Sequence, residues 1–259
     1  MPRSCPSSPP APAPRHVWHP DPASWGPAEL FNGMVAPLTP FAIKGVIWYQ
    51  GESNSRLAFA PMYEKLFPAM IADWRTQWHQ GAFPFLFVQI SSFASGEDES
   101  WAVIREAQRR TLAVANAAMA VTIDIGDPDN VHPADKQTVA ARLARAARAL
   151  AYGEAVEYSG PLFRQATPES DGVRVWFDHA GGLAVKGNAL RGFEIAGDDC
   201  RFTAASARVE GESVWVSSPQ VKEPKYVRYA WANSPAANLF NSEGLPASPF
   251  TSEDAIPAQ

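Results

Sequence analysis

Several features are scarce or missing in this sequence of 259 residues, and each absence excludes a class of protein. No run of about 18 or more apolar residues occurs, so no membrane-spanning helix is expected. The net charge is −5 and no large patch of lysine and arginine stands out, which argues against nucleic acid as a partner. The nearest approach to a basic cluster is Arg142, Arg145 and Arg148, which we expect on a solvated helix face.

Cysteine and metal-ligand patterns are equally sparse. Cys5 and Cys200 are too few for a disulfide framework. Apart from His16 and His19, no histidine is spaced from another histidine or a cysteine as a metal site requires. We therefore expect no bound metal.

The N-terminal segment is unlike the rest of the chain. Arg3 is not followed by an apolar segment, so no signal peptide is predicted. Nine of the first 27 residues are proline, a composition that cannot pack a core. Residues 1–28 are therefore predicted to be a disordered tail.

Buried-strand patterns alternate with helical patterns over residues 29–160. This alternation is typical of an α/β fold in which helices cover a parallel sheet. The predicted strands are at about 44–49, 84–90 and 120–125, and the predicted helices at about 59–78, 101–116 and 134–152.

The hydrophobic pattern then changes to a period of two, which predicts a small antiparallel β domain over residues 161–253 and a tail at 254–259. Three segments show this period: residues 173–177, 213–217 and 226–231. We expect the tryptophans of the domain to fill the core of a β-sandwich: Trp176, Trp215 and Trp231. The alternative is that exposed aromatic rings make the domain a sugar-binding module.

A cluster of small and polar residues follows the first predicted strand directly. It consists of Gln50, Gly51, Glu52, Ser53 and Asn54. Ligands bind at strand ends in open α/β sheets, so this turn is a candidate substrate site. Gly51 allows the backbone to approach a reacting atom, and the amide of Asn54 is a donor of the kind that stabilises an oxyanion. We assign Gln50 and Glu52 to the same substrate-binding set.

An acid and a histidine lie on the loop between the third predicted strand and the third predicted helix. Asp129 and His132 form an Asp-x-x-His pattern, by which many esterases supply a general base and its orienting carboxylate. Asp127 competes with Asp129 for the carboxylate role. Pro133 suits a first helical position, which would hold His132 near the helix N-terminus and favour the neutral imidazole. A solvated loop histidine is the alternative.

Two motifs together resemble the sialate O-acetylesterase family within the SGNH (GDSL-like) hydrolases. They are Trp-Tyr-Gln-Gly-Glu-Ser-Asn at residues 48–54 and Asp-x-x-His-Pro-x-x-Lys at residues 129–136. Further segments similar to the family lie at residues 30–38, 142–144, 159–161, 192–196 and 227–250. The resemblance implies a partial SGNH-like parallel sheet with flanking helices, followed by the small antiparallel domain.

The resemblance also implies a reaction. It is the serine-type hydrolysis of O-acetyl esters on a sugar or sialic acid, with His132 as base and Asp129 as its partner. Water then releases acetate from an acetyl-enzyme, a route that needs neither a metal ion nor an organic cofactor. Relatives of this kind are commonly exported.

The sequence departs from the family at the nucleophile. Family members carry a Gly-Gln-Ser-Asn block upstream of the first motif, and these 259 residues contain no such block. Ser53 is therefore a candidate nucleophile. The alternative is an incomplete C-terminal portion that binds carbohydrate or serves as a partner subunit. A sheet that lacks its first strand exposes an edge, so self-association is a further hypothesis.

The resemblance leaves two classes of acetylated sugar open, sialic acids and plant polysaccharides. A sialate site would need an arginine for the substrate carboxylate. Arg56 and Arg75 both lie close in sequence to the site segments and are the candidates for this role. A site for an acetylated plant polysaccharide would not require either arginine.

Overall fold

A three-stranded parallel sheet with helices on both faces forms the first region, which confirms the predicted α/β fold. The computed structural model describes residues 26–256, so nearly all of the predicted N-terminal tail lies outside the described residues. In chain order the elements are β1 (Val46–Trp48), α1 (Tyr63–Trp78), β2 (Phe85–Gln89), α2 (Trp101–Arg110), β3 (Ala117–Val121) and α3 (Lys136–Leu150). The strand order is β1-β2-β3, and both pairs are parallel.

Alternation along β2 explains why helices cover both faces of the sheet. Phe85 and Phe87 pack against Phe67 of α1, with ring centroids 6.0 and 5.0 Å apart. Leu86 lies between them in sequence and packs with Ala146 of α3 instead. Successive side chains of a strand point to opposite faces, so each layer of helix covers half of the apolar side chains of the strand.

The third strand ends earlier than predicted, and contacts made by Arg142 contribute to this earlier end. The prediction placed the strand at 120–125, whereas β3 ends at Val121. Arg142 donates to the carbonyl of Val121 at 2.6 Å and to both carboxylate oxygens of Asp124 at 2.6 and 2.8 Å. Its predicted place on a solvated helix face was wrong, because this ion pair and the sheet leave the residue only 8% exposed.

The second region contains two four-stranded antiparallel sheets, in agreement with the predicted antiparallel domain. Their strand orders are β4-β5-β10-β9 and β13-β11-β7-β8, and β6 and β12 form a separate pair. The strands are β4 (Leu162–Glu169), β5 (Gly172–Asp178), β6 (Ala184–Val185), β7 (Phe193–Ala196), β8 (Thr203–Ala204), β9 (Ser206–Glu210), β10 (Ser213–Ser217), β11 (Tyr226–Tyr229), β12 (Leu239–Phe240) and β13 (Phe250–Thr251). Alternate residues of both sheets share one core.

The tryptophans of this region do not fill that core, so this part of the prediction was wrong. Trp215 lies between the guanidinium groups of Arg174 and Arg208, at 5.3 and 5.5 Å from its ring centroid. It covers Gly172, where an added Cβ would lie 2.4 Å from the Trp215 ring. Trp231 packs against the core of the first region. Valine and phenylalanine fill the sandwich instead, because they occupy the inward positions of each strand.

Buried polar contacts join the two regions. Arg105 of α2 is fully buried and donates to the carbonyls of Ala232 at 2.7 Å and Asn233 at 2.6 Å. Its pKa is lowered to about 9 by burial, a value that still leaves the guanidinium charged at neutral pH. Gln89 at the end of β2 donates to the hydroxyl of Ser248 at 2.8 Å. Within the segment predicted as a tail, Ile256 is buried in the core of the first region.

Strand β1 forms an exposed edge of the parallel sheet. It pairs with β2 on one side and with no other strand of the described part of the chain. Ile47, on the same face as the buried Leu86, is 70% exposed. No helix in residues 26–256 has both the length and the apolar character needed to cross a membrane.

Candidate active site

Two adjoining cavities lie at the carboxyl ends of β1, β2 and β3. Both are lined by Glu52, Ser53 and Val131. The first, here the aromatic cavity, has a volume of about 360 Å³ and is completed by four further side chains: Arg56, Phe93, Glu99 and Trp101. The second, here the histidine cavity, has a volume of about 340 Å³ and is completed by three: Tyr49, His132 and Lys136. The structure therefore brings the two sequence motifs into one cleft.

The turn after β1 requires glycine at its second position. Gly51 is buried and has a φ of +155°, which side chains rarely allow. An added Cβ would lie 2.9 Å from Ile90 and 3.0 Å from the amide nitrogen of Gln108. This backbone conformation leads into a short 3-10 turn, Glu52–Asn54, which presents Glu52 and Ser53 to the cleft.

Gln50 and Asn54 are bound to each other and do not line either cavity. The side-chain nitrogen of Gln50 donates to the side-chain oxygen of Asn54 at 2.7 Å. Two buried residues hold the carbonyl of Gln50: the Tyr63 hydroxyl donates to it at 3.2 Å, and the Gln108 amide at 3.1 Å. Asn54 uses only its side-chain oxygen in the contact with Gln50. Its amide N–H groups make no bond to that residue. Their predicted substrate contacts stay predictions.

Glu52 occupies a half-buried position between the two cavities. Burial raises the pKa of its carboxyl group, and the backbone N–H groups of the turn oppose that rise. The positive charges of His132 and Lys136 also lower it, by a smaller amount. Ser53, the next residue, is exposed on the ridge between the cavities. The 3-10 turn therefore presents a carboxylate and a hydroxyl side by side.

The loop that carries His132 is held by two side chains of its own. The carboxylate of Asp127 accepts from the backbone N–H of Asp129 at 2.9 Å, and the amide oxygen of Asn130 accepts from that of His132 at 2.9 Å. Within residues 26–256, no hydrogen bond joins the exposed carboxylate of Asp129 to the ring of His132. The pairing of these two side chains therefore stays a prediction.

The helix after this loop begins later than predicted. Asp135 is the N-cap residue of α3, and its carboxylate accepts from the backbone N–H of Thr138 at 2.9 Å. Pro133 thus precedes the helix rather than occupying its first position. The physical reason is that an aspartate accepts from a free N–H of the first turn, which Pro133 and Ala134 cannot do. His132 lies three residues before the cap, so the helix dipole acts on it less strongly than expected.

Asn233 of the second region holds one wall of the aromatic cavity. Its side-chain oxygen accepts from the backbone N–H of Trp101 at 2.9 Å, and its carbonyl accepts from that of Phe93 at 3.2 Å. The indole nitrogen of Trp101 donates to the carboxylate of Glu99 at 3.0 Å. Arg105 binds the carbonyl of Asn233. Neither residue was predicted from the sequence, because no local pattern links positions so far apart.

The two arginines near the motifs differ in their surroundings. Arg75 donates to the backbone carbonyls of Phe83 at 2.7 Å and Ala115 at 2.8 Å, away from the cleft. Arg56 is half-buried and lines the aromatic cavity. In the described part of the chain its guanidinium group has neither a hydrogen bond nor an ion pair. Arg56 therefore has donors available for a ligand.

Comparison with known proteins gives consistent matches. The family model for "Carbohydrate esterase, sialic acid-specific acetylesterase" matches residues 17–149. The sialate O-acetylesterase of Rattus norvegicus is 34% identical over 87% of this chain and 48% of its own length. The sialate O-acetylesterase of Homo sapiens is 42% identical over 53% of this chain and 30% of its own length. A crystal structure of a carbohydrate acetylesterase from Xanthomonas citri superposes with a TM-score of 0.84 at 44% identity, over 87% of this chain and 54% of that chain. The chain spans about half the length of the curated rodent relative.

Proposed function

We propose that this chain, which belongs to the sialic acid-specific acetylesterase family of carbohydrate esterases, hydrolyses O-acetyl esters on sugars. The main support is that Ser53 and His132 line the same cavity at the carboxyl end of a parallel sheet. A serine hydroxyl and an imidazole in one cleft can supply the nucleophile and the base of serine-type acyl transfer. No metal ion or organic cofactor enters the proposed reaction.

The proposed reaction has two acyl-transfer steps. His132 removes the proton of the Ser53 hydroxyl, whose oxygen attacks the acetyl carbonyl, and the tetrahedral intermediate expels the sugar hydroxyl with that proton. A water molecule, deprotonated by His132, then attacks the acetyl-enzyme, and the tetrahedral intermediate collapses to acetate while His132 returns the proton to the Ser53 oxygen. Asp129 is proposed to orient the imidazole. The backbone at Gly51 and the amide of Asn54 are proposed to stabilise the oxyanion.

A fluorophosphonate probe tests whether Ser53 is the nucleophile. We expect the probe to form one covalent adduct, which mass spectrometry of peptides maps to Ser53, because this serine shares a cavity with His132. The His132→Asn variant should form the adduct far more slowly, since the proton acceptor is gone. The other serines of the chain serve as internal controls. An adduct on another serine would contradict the assignment of Ser53, and no adduct would favour a role in carbohydrate binding or as a partner subunit.

Sialic acid is proposed as the sugar because Arg56 lines the aromatic cavity with a guanidinium group that no described side chain or carbonyl engages. Arg56→Gln should raise KM for an O-acetylated sialic acid by about 10- to 100-fold, the value of one charge-assisted hydrogen bond. KM for an acetylated neutral sugar should change little. Arg164→Gln, on the exposed surface of β4, is the matched control. Equal losses on both sugars would contradict a role in carboxylate recognition.

Self-association is proposed through the exposed edge of the parallel sheet. Its support is that β1 has one neighbouring strand within residues 26–256 and that Ile47 is exposed beside it. An apolar side chain on an unpaired edge favours contact with a second strand.

A further inference from the structure

Four carboxylates come close to His132 in sequence or in space, and their surroundings differ. Asp135 is the N-cap residue of α3. Asp127 is engaged in its own turn, and Asp129 is exposed to solvent. Glu52 belongs to a different segment, yet it lines the histidine cavity together with His132. A carboxylate in a half-buried cavity interacts more strongly with a neighbouring charge than one in open solvent does.

The backbone fixes the position of Glu52. The conformation of Gly51 allows only a glycine, and the 3-10 turn follows it without an intervening residue. Ser55, at the end of the turn, is fully buried and donates its hydroxyl to the carbonyl of Glu52 at 2.7 Å. The carboxylate therefore projects from a rigid turn, whereas Asp129 lies on an exposed loop.

The charged groups around the histidine cavity are few. Lys136 lies at its rim, with its ammonium group 5.1 Å from the ring centroid of Tyr49. Arg56 and Glu99 belong to the aromatic cavity on the other side of the ridge. Among the described residues, Glu52 is thus the carboxylate that lines the histidine cavity, and its pKa responds to the charges of His132 and Lys136.

We propose that Glu52 is a positioning residue for His132, whose protonated ring it stabilises across the histidine cavity. In acyl transfer the base becomes an imidazolium as the nucleophile attacks, and a fixed negative charge favours that state. The catalytic part of this inference rests on the proposed function. The electrostatic coupling between the two side chains does not, and it can be measured in protein that shows no turnover.

The coupling is tested by following the side-chain carboxyl carbon of Glu52 by NMR during an acid titration. The resonance is assigned with the Glu52→Gln variant. His132→Asn should move the titration midpoint of Glu52 upward by about 0.5 pH units or more, because the cation that lowers its pKa is lost. His79→Asn is the control, since His79 is exposed at the end of α1. An unchanged midpoint in His132→Asn would overturn the inference.

The positioning role is tested by the pH dependence of kcat/KM for 4-nitrophenyl acetate. Glu52→Gln should lower kcat more than it raises KM and move the acid limb of the profile to lower pH, because a protonated His132 is no longer stabilised. Glu52→Asp should restore part of the loss. Glu97→Gln, which removes an exposed carboxylate outside both cavities, should leave the profile unchanged. A Glu52→Gln profile that overlies the wild type contradicts the positioning role. An inactive wild type with intact coupling would contradict the proposed function alone.

Discussion

The His132→Asn variant is expected to lose roughly 10²- to 10⁴-fold of kcat/KM for 4-nitrophenyl acetate, the usual contribution of a general base. His132 lines the cavity that contains Ser53, and its backbone N–H is held by Asn130, so the substitution removes the imidazole while the loop keeps its hydrogen bond. Initial rates of 4-nitrophenolate release at several pH values measure the effect.

The matched control for this prediction is His79→Asn. His79 has a φ of +52° at the end of α1, a conformation that asparagine tolerates well. The His79→Asn variant should hydrolyse 4-nitrophenyl acetate at the wild-type rate. Equal rates for wild type and His132→Asn would show that another group accepts the proton. Circular dichroism of both variants ensures that a folded protein is compared in each case.

The Gly51→Ala variant should be destabilised by about 2–4 kcal/mol, through backbone strain and overpacking together. A Cβ at this position would meet Ile90, Gln108 and Ile104, all within 3.1 Å. Since Gly51 leads directly into the turn that carries Glu52 and Ser53, any relaxation of these contacts also displaces the ridge between the cavities. Urea unfolding monitored by tryptophan fluorescence measures the change in the free energy of unfolding.

Two further glycines separate the causes of that loss. Gly81 has a φ of +69° with no atom within 4 Å of an added Cβ, so Gly81→Ala reports strain without overpacking. Gly33 is exposed, has ordinary backbone angles and also has open space around it, so Gly33→Ala should be close to neutral. A Gly51→Ala protein as stable as Gly33→Ala would contradict the account of this turn.

Hydrophobic periodicity predicted most of the fold. The strand-helix alternation of the first region and the period of two in the second are properties of neighbouring residues, and they determine which faces become buried. The start of α3 was harder to predict, because the N-cap hydrogen bond of Asp135 outweighs the preference of Pro133 for a first helical position. Likewise, β3 ends before its last predicted residues, because Asp124 there pairs with Arg142.

The candidate site was predicted in part. Motifs on two loops indicated Ser53 and His132, and the fold brings both into one cavity. The supporting residues were not predictable in the same way. Arg105 and Asn233 are 128 residues apart, and a buried arginine within a helix gives the same local pattern as a solvated one. Only the packing of the second region against α2 distinguishes the two cases.

Acetate release from an O-acetylated sialic acid tests the central claim most directly. The full chain and its His132→Asn variant should be incubated with the same substrate, and free acetate measured with time. The wild type should release acetate with turnover, and the rate of the variant should be lower by roughly 10²-fold or more. No acetate above a blank without protein would contradict the proposed esterase function and leave carbohydrate binding as the role of this cleft, whereas equal rates above that blank would contradict the role of His132.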